Sequence, residues 1–152
     1  MNKKLSDWAS VAEIISGIAV VITLVFLIVG IRDNTAALRG SAYADFLDSL
    51  NQLQASLMAD PGLASRWEAY IRGDTSGLDQ PSRAQLNLAV LSQIRIYEAA
   101  YFQREYELIG DREWDRILEV GCRAFRRSQP FLDTPSVFSE AFVTYMVDAC
   151  PD

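Results

Sequence analysis

No histidine occurs among the 152 residues, and that absence removes a large share of the common enzyme mechanisms. Without imidazole there is no Ser-His-Asp or Cys-His nucleophile, no His-ligated zinc and no Glu-x-x-His di-iron site. The Arg/His ribonuclease motif of some small helical bundles is missing for the same reason. Cysteine is scarce as well: Cys122 and Cys150 are the only two, too few and too late for a disulfide framework, and neither has a second Cys at ligand spacing. They are expected to be buried or half-buried thiols, unpaired if their domain is cytoplasmic. There is no Gly-rich phosphate loop, no period-2 strand pattern, no repeat of 20 to 50 residues and no low-complexity tract. No metal and no cofactor are therefore expected, and an enzyme only if it works with carboxylates alone.

Basic charge is also in deficit, with 14 Lys and Arg against 20 Asp and Glu. From Asp33 onward the count is 18 acids to 11 bases, a net charge near −7 that repels phosphate backbones. Nucleic acid is not an expected partner.

What is present in excess is apolar, and it is concentrated. Ile14 to Ile31 contains no charge, and 18 residues at a helical rise cover roughly 27 Å, close to the ~30 Å hydrocarbon thickness of a bilayer. A signal peptide would carry a basic n-region and a shorter apolar core, whereas Asp7 and Glu13 precede this one. A soluble helix would show a polar stripe, yet Ile15, Ile18, Ile22, Val25 and Val29 form a branched aliphatic face suited to lipid. A second face reads Ala9, Ala12, Ser16, Ala19, Thr23, Phe26 and Gly30 at alternating spacings of three and four. Small residues on one seam allow backbones to approach closely in a bilayer, so Ala12, Ser16, Ala19, Thr23 and Gly30 are candidate helix-helix contacts. Trp8 and Arg32 frame the span at headgroup level. Lys3 and Lys4 on one flank balance Arg32 and Arg39 on the other, so orientation is nearly tied. Because Arg32 adjoins the boundary while the lysines are diluted by Asp7 and Glu13, the C-terminal domain is expected to be cytoplasmic.

Two segments follow: residues 1–32 as flank and transmembrane helix, and residues 33–152 as a soluble helical domain. Leu38, Ala42, Phe46, Leu50, Leu53 and Leu57 keep helical spacing, so the anchor is expected to continue as one long helix. Asp60-Pro61 opens a short helix that Gly73 closes, carrying Leu63, Trp67, Tyr70 and Ile71. Asp79 caps, with Pro81 in its first turn, a helix from about residue 80 to Ile109 that Gly110 ends. Leu86, Val90, Tyr97 and Tyr101 lie on one arc of it, and Leu88, Leu91, Ile94 and Phe102 extend that arc, which marks it as the centre of the bundle. Asp111 is expected to cap a fourth helix with Trp114, Ile117, Leu118, Cys122 and Phe125 inward, and Thr134-Pro135 to open a fifth. The fold class is all-α: one transmembrane helix continuing into a four- to five-helix bundle.

Arg95, Glu98 and Tyr101, with Gln93 and Tyr97, place polar groups on the helix expected to be most buried. They form a candidate ligand-binding or proton-handling cluster, or else a satisfied structural network. The mixed charges from Arg104 to Arg116 read as a solvated face. Arg123, Arg126 and Arg127 complement the dipole at the end of the fourth helix and are candidates for anionic headgroups.

The runs Glu13 to Leu24 and Ile31 to Arg39, with Arg95-x-Tyr97-Glu98-x-x-Tyr101 and Trp114, resemble a widespread bacterial family of uncharacterised single-pass, membrane-anchored helical proteins. The likeness covers most of the chain and implies a layout, not an activity. A more remote likeness, of architecture only, is to CRISPR-associated accessory proteins that oligomerise into membrane pores. Residues and resemblance together lead to a non-enzymatic protein of a bacterial inner membrane. Its partners would be the lipid bilayer and either other copies of itself or the subunits of a larger complex it serves as accessory. The alternative is a ligand-responsive or proton-handling membrane protein, a sensor or pore-forming oligomer, that uses the Arg95/Glu98/Tyr101 cluster.

Overall fold

A computed structural model describes residues 3–129 and 137–150, with their side chains except those of residues 3–7 and 9–11. Among the described residues there are five α-helices and no strand: α1 Lys3–Ala59, α2 Pro61–Arg72, α3 Gln80–Glu105, α4 Asp111–Ser128 and α5 Glu140–Ala149. The protein is all-α, a long apolar N-terminal helix followed by a helical bundle. Its residues group into two compact units, Met1–Leu38 and Arg39–Asp152.

The first unit is the N-terminal part of α1. Every described side chain from Ala12 to Asn34 is exposed, and α1 is long and apolar enough to cross a membrane. Two of its hydroxyls turn inward on the helix: Thr23 Oγ1 donates to the Ala19 carbonyl at 2.9 Å, and Thr35 Oγ1 to that of Ile31 at 2.9 Å. Intrahelical bonds of this kind satisfy a polar side chain where no water is available.

The second unit has a core of its own. Ala42 and Phe46 on α1 pack with Ile94, Tyr97, Ala100 and Tyr101 of α3, with Trp114, Ile117 and Phe125 of α4, and with Phe142 and Met146 of α5. A smaller cluster joins Tyr70 of α2 to Leu86 and Val90 of α3, flanked by Trp67 and Leu78. Helix α3 belongs to both clusters and is the centre of the bundle. Its apolar arc is narrower than its composition suggests, because Leu88 and Phe102 are exposed.

Helix ends follow local chemistry. The Asp60 carboxylate accepts from Gly62 N–H at 2.9 Å and Leu63 N–H at 3.1 Å, with Pro61 at the first helical position. Gly73 closes α2 in the left-handed region, at φ 76°, where a residue without Cβ avoids a steric clash. Asp79 accepts from Ser82 N–H at 3.0 Å to open α3.

Two ends differ from expectation. Helix α3 stops at Glu105 rather than Ile109. The N–H of Glu107 bonds the Arg104 carbonyl at 2.8 Å, and that of Leu108 bonds the Gln103 carbonyl at 2.8 Å. This is a Schellman closure in which Glu107, at φ 58°, takes the place usually held by Gly. Gly110, in turn, is the N-cap of α4, so Asp111 lies in the first turn, where its charge favours the helix dipole, and does not cap it. Thr134 and Pro135 lie outside the described residues; the α-helix there begins at Glu140 with Ser139 as its cap.

Candidate functional site

Arg95, Glu98 and Tyr101 are one helical turn apart along α3, and the packing of α5 decides what they do. Glu98 is buried at 7% exposure, a position that a carboxylate keeps only with partners. Its Oε1 accepts from the Ser139 N–H at 2.6 Å, and its Oε2 lies 3.4 Å from Arg95 Nη1. Ser139 is the N-cap of α5, and its own hydroxyl accepts from Phe142 N–H at 3.3 Å. In a capping box, an acid three residues into the helix would satisfy the N-cap N–H. Here Phe142 occupies that position and is fully buried, so an acid from a neighbouring helix supplies the bond. The Arg95 guanidinium lies over the Phe138 ring at 5.5 Å, completing a clamp on the start of α5.

Tyr101 belongs to a different neighbourhood. Its ring packs against Phe142 at 5.8 Å, Tyr145 at 5.2 Å and Trp114 at 6.4 Å. Desolvation raises its hydroxyl pKa, and the nearby Glu105 adds to that rise. The three residues therefore do not converge on one ligand position: Arg95 and Glu98 fasten α5, and Tyr101 fills the aromatic core. Both carboxylate oxygens of Glu98 are engaged, which leaves the proton-handling alternative without a specific observation in its favour.

Sequence reasoning missed three features of this region. Arg104, expected on a solvated face, places its guanidinium 5.7 Å from the centroids of both Trp114 and Tyr145, an arrangement in which cation and ring faces attract. Trp114 Nε1 donates to the Tyr145 hydroxyl at 2.8 Å. Arg39 and Arg104, with Glu105, Glu107, Ile109, Gly110 and Asp111, line an open depression of about 470 Å³. The Arg39 Nε donates to the Glu107 carbonyl there at 2.9 Å. Serine before an acid-led helical run is an N-terminus signal that could have found the Ser139 cap; no comparable signal marks the aromatic seat of Arg104.

The cysteine expectation is overturned. Cys122 and Cys150 form a disulfide, with Cα atoms 5.2 Å apart. They are 28 residues apart in sequence, and only the return of α5 onto α4 brings Cys150, just past the end of α5, beside the middle of α4. Spacing alone cannot reveal such a pair.

The candidate seam residues Ala12, Ser16, Ala19, Thr23 and Gly30 are all exposed on α1, while the side chain of Ala9 lies outside the described set. A Cβ added at Gly17 or Gly30 would meet nothing within 4 Å, so no contact inside the chain requires glycine there. With its hydroxyl returned to the Ala19 carbonyl, Thr23 adds little polarity to the seam. Among the described residues no group of three or more His, Cys, Asp and Glu is placed to hold a metal ion. No family model, no curated protein and no solved structure matches the chain.

Proposed function

We propose that this is a single-pass membrane protein, of a bacterial inner membrane, whose N-terminal helix anchors a non-enzymatic helical domain and joins it to other membrane helices. Those helices belong either to copies of the same chain or to a larger complex that it serves as an accessory subunit. The observation that carries the reading is the exposed run from Ala12 to Asn34 on α1, uncharged from Ile14 to Ile31. Burying some twenty apolar residues in lipid removes a cost in water that no contact within this unit removes. The aliphatic face of Ile15, Ile18, Ile22, Val25 and Val29 suits lipid tails. The face of Ala12, Ser16, Ala19, Thr23 and Gly30 suits the close approach of a second helix, since association in a bilayer relies on backbone proximity more than on apolarity.

The test is crosslinking in membranes together with mass in mild detergent. Ser16→Leu or Ala19→Leu puts extra heavy atoms where another backbone would approach, and the crosslinked fraction should fall several-fold. Ile18→Leu and Ile22→Leu, on the lipid face, should leave it unchanged. Equal behaviour of the two sets would remove the seam from the reading and leave the span as an anchor only.

A further inference from the structure

The disulfide bears on which side of the membrane the bundle occupies. Cys122 is half-buried in the middle of α4, and Cys150 is buried as the C-cap residue of α5. Their bond secures a helix of only ten residues, too short to persist in water without tertiary support. The Glu98 to Ser139 bond, the Trp114 to Tyr145 bond and the burial of Phe142 and Met146 in the core hold α5 as well. Disulfides of this structural kind persist in oxidising compartments, whereas glutathione and thioredoxin keep thiols reduced in the cytosol.

We propose that the helical domain faces the oxidising, extracytoplasmic side of the membrane, and that Cys122–Cys150 is formed there by exchange with a disulfide-bearing oxidant. This rests on the membrane reading above and reverses the cytoplasmic placement that the flanking charges suggest. The charge balance opposes it only weakly, since Lys3 and Lys4 precede the span while Arg32 and Arg39 follow it, an equal count on the two flanks. In the exchange, one cysteine thiolate attacks the oxidant's disulfide, forms a mixed disulfide and releases one oxidant thiol. The second cysteine thiolate then displaces the other oxidant sulfur. Two cysteine thiols are oxidised to one disulfide, and one oxidant disulfide is reduced to two thiols.

The experiment uses the full chain in intact cells and in spheroplasts. After a carbonate wash, the membrane pellet is denatured and treated with polyethylene-glycol maleimide, with and without prior reduction, and Cys122→Ser supplies a one-thiol size marker. In parallel, protease is added outside spheroplasts. The expected result is a chain in the pellet, with no adduct before reduction, two adducts after it, and a domain digested from outside. Two adducts without reduction, or a domain protected from protease, with the chain still in the pellet, would overturn the placement while leaving the anchor intact. A chain found in the soluble fraction would instead overturn the membrane reading itself, and this inference with it.

Discussion

The Glu98 carboxylate accepts a hydrogen bond from the Ser139 backbone N–H, 41 residues away, at 2.6 Å. A helix-central acid thus does for α5 what its own third residue, Phe142, cannot. Removing the acceptor should leave a partly buried N–H unsatisfied, at roughly 1 to 3 kcal/mol. Glu98→Ala is expected to loosen α5, seen as faster amide exchange in residues 140–149 while α3 amides stay protected. Glu98→Gln keeps an acceptor oxygen and forfeits the Arg95 pairing, which is half in solvent and contributes little, so it should behave nearly as the parent. Equal exchange in both variants would show that the bond does not hold α5.

Gly121 of α4 sits against the Tyr97 ring, and a Cβ there would lie 3.1 Å from Tyr97 Cδ1. The two helices approach closely at this point because the residue has no side chain. Gly121→Val should overpack the contact and destabilise the bundle by about 1 to 3 kcal/mol. Thermal unfolding of the detergent-solubilised chain measures this; an unchanged midpoint would mean the helices can separate there freely.

Glu107 holds a left-handed conformation that disfavours a residue with Cβ by roughly 1 kcal/mol. Its side-chain contact with Arg39 is a 4.0 Å ion pair between exposed groups, worth little. The Arg39 Nε bond goes to its backbone carbonyl and survives truncation of the side chain. Glu107→Gly should therefore raise the unfolding midpoint, and Glu107→Ala should not. A glycine variant as unstable as the alanine variant would contradict this account of the turn.

Tyr70 is almost completely buried, at 1% exposure, and desolvation pushes its pKa up to about 12, with Arg127 opposing. The folded state thus holds the phenol proton more tightly than the unfolded chain, whose tyrosines titrate near 10. The associated stability is fully present below pH 10 and is lost as pH rises through about 12, on the order of 2 to 3 kcal/mol. Tyr70→Phe should shrink the fall in denaturant-unfolding free energy across that window. An unchanged fall would assign the alkaline sensitivity to other groups, such as Tyr97, whose pKa burial also raises.

Local chemistry along the chain determined where α2 and α3 begin and where α2 ends. Asp60-Pro61, Asp79 with Pro81, and Gly73 act within a few residues of themselves, so their effect is readable without a fold. The uncharged run from Ile14 to Ile31 is legible for the same reason, because length and polarity alone set what can span a bilayer. Tertiary packing decided the rest. Whether α3 ended at Glu105 or Ile109 depended on Glu107 accepting a conformation that composition disfavours. Whether Glu98 was a reactive acid or a clasp depended on α5 returning to offer the Ser139 N–H. Whether two cysteines were thiols or a disulfide depended on α5 lying against α4. The last two pair residues far apart in sequence, and a contact that closes a long loop leaves no periodic trace in the chain that forms it.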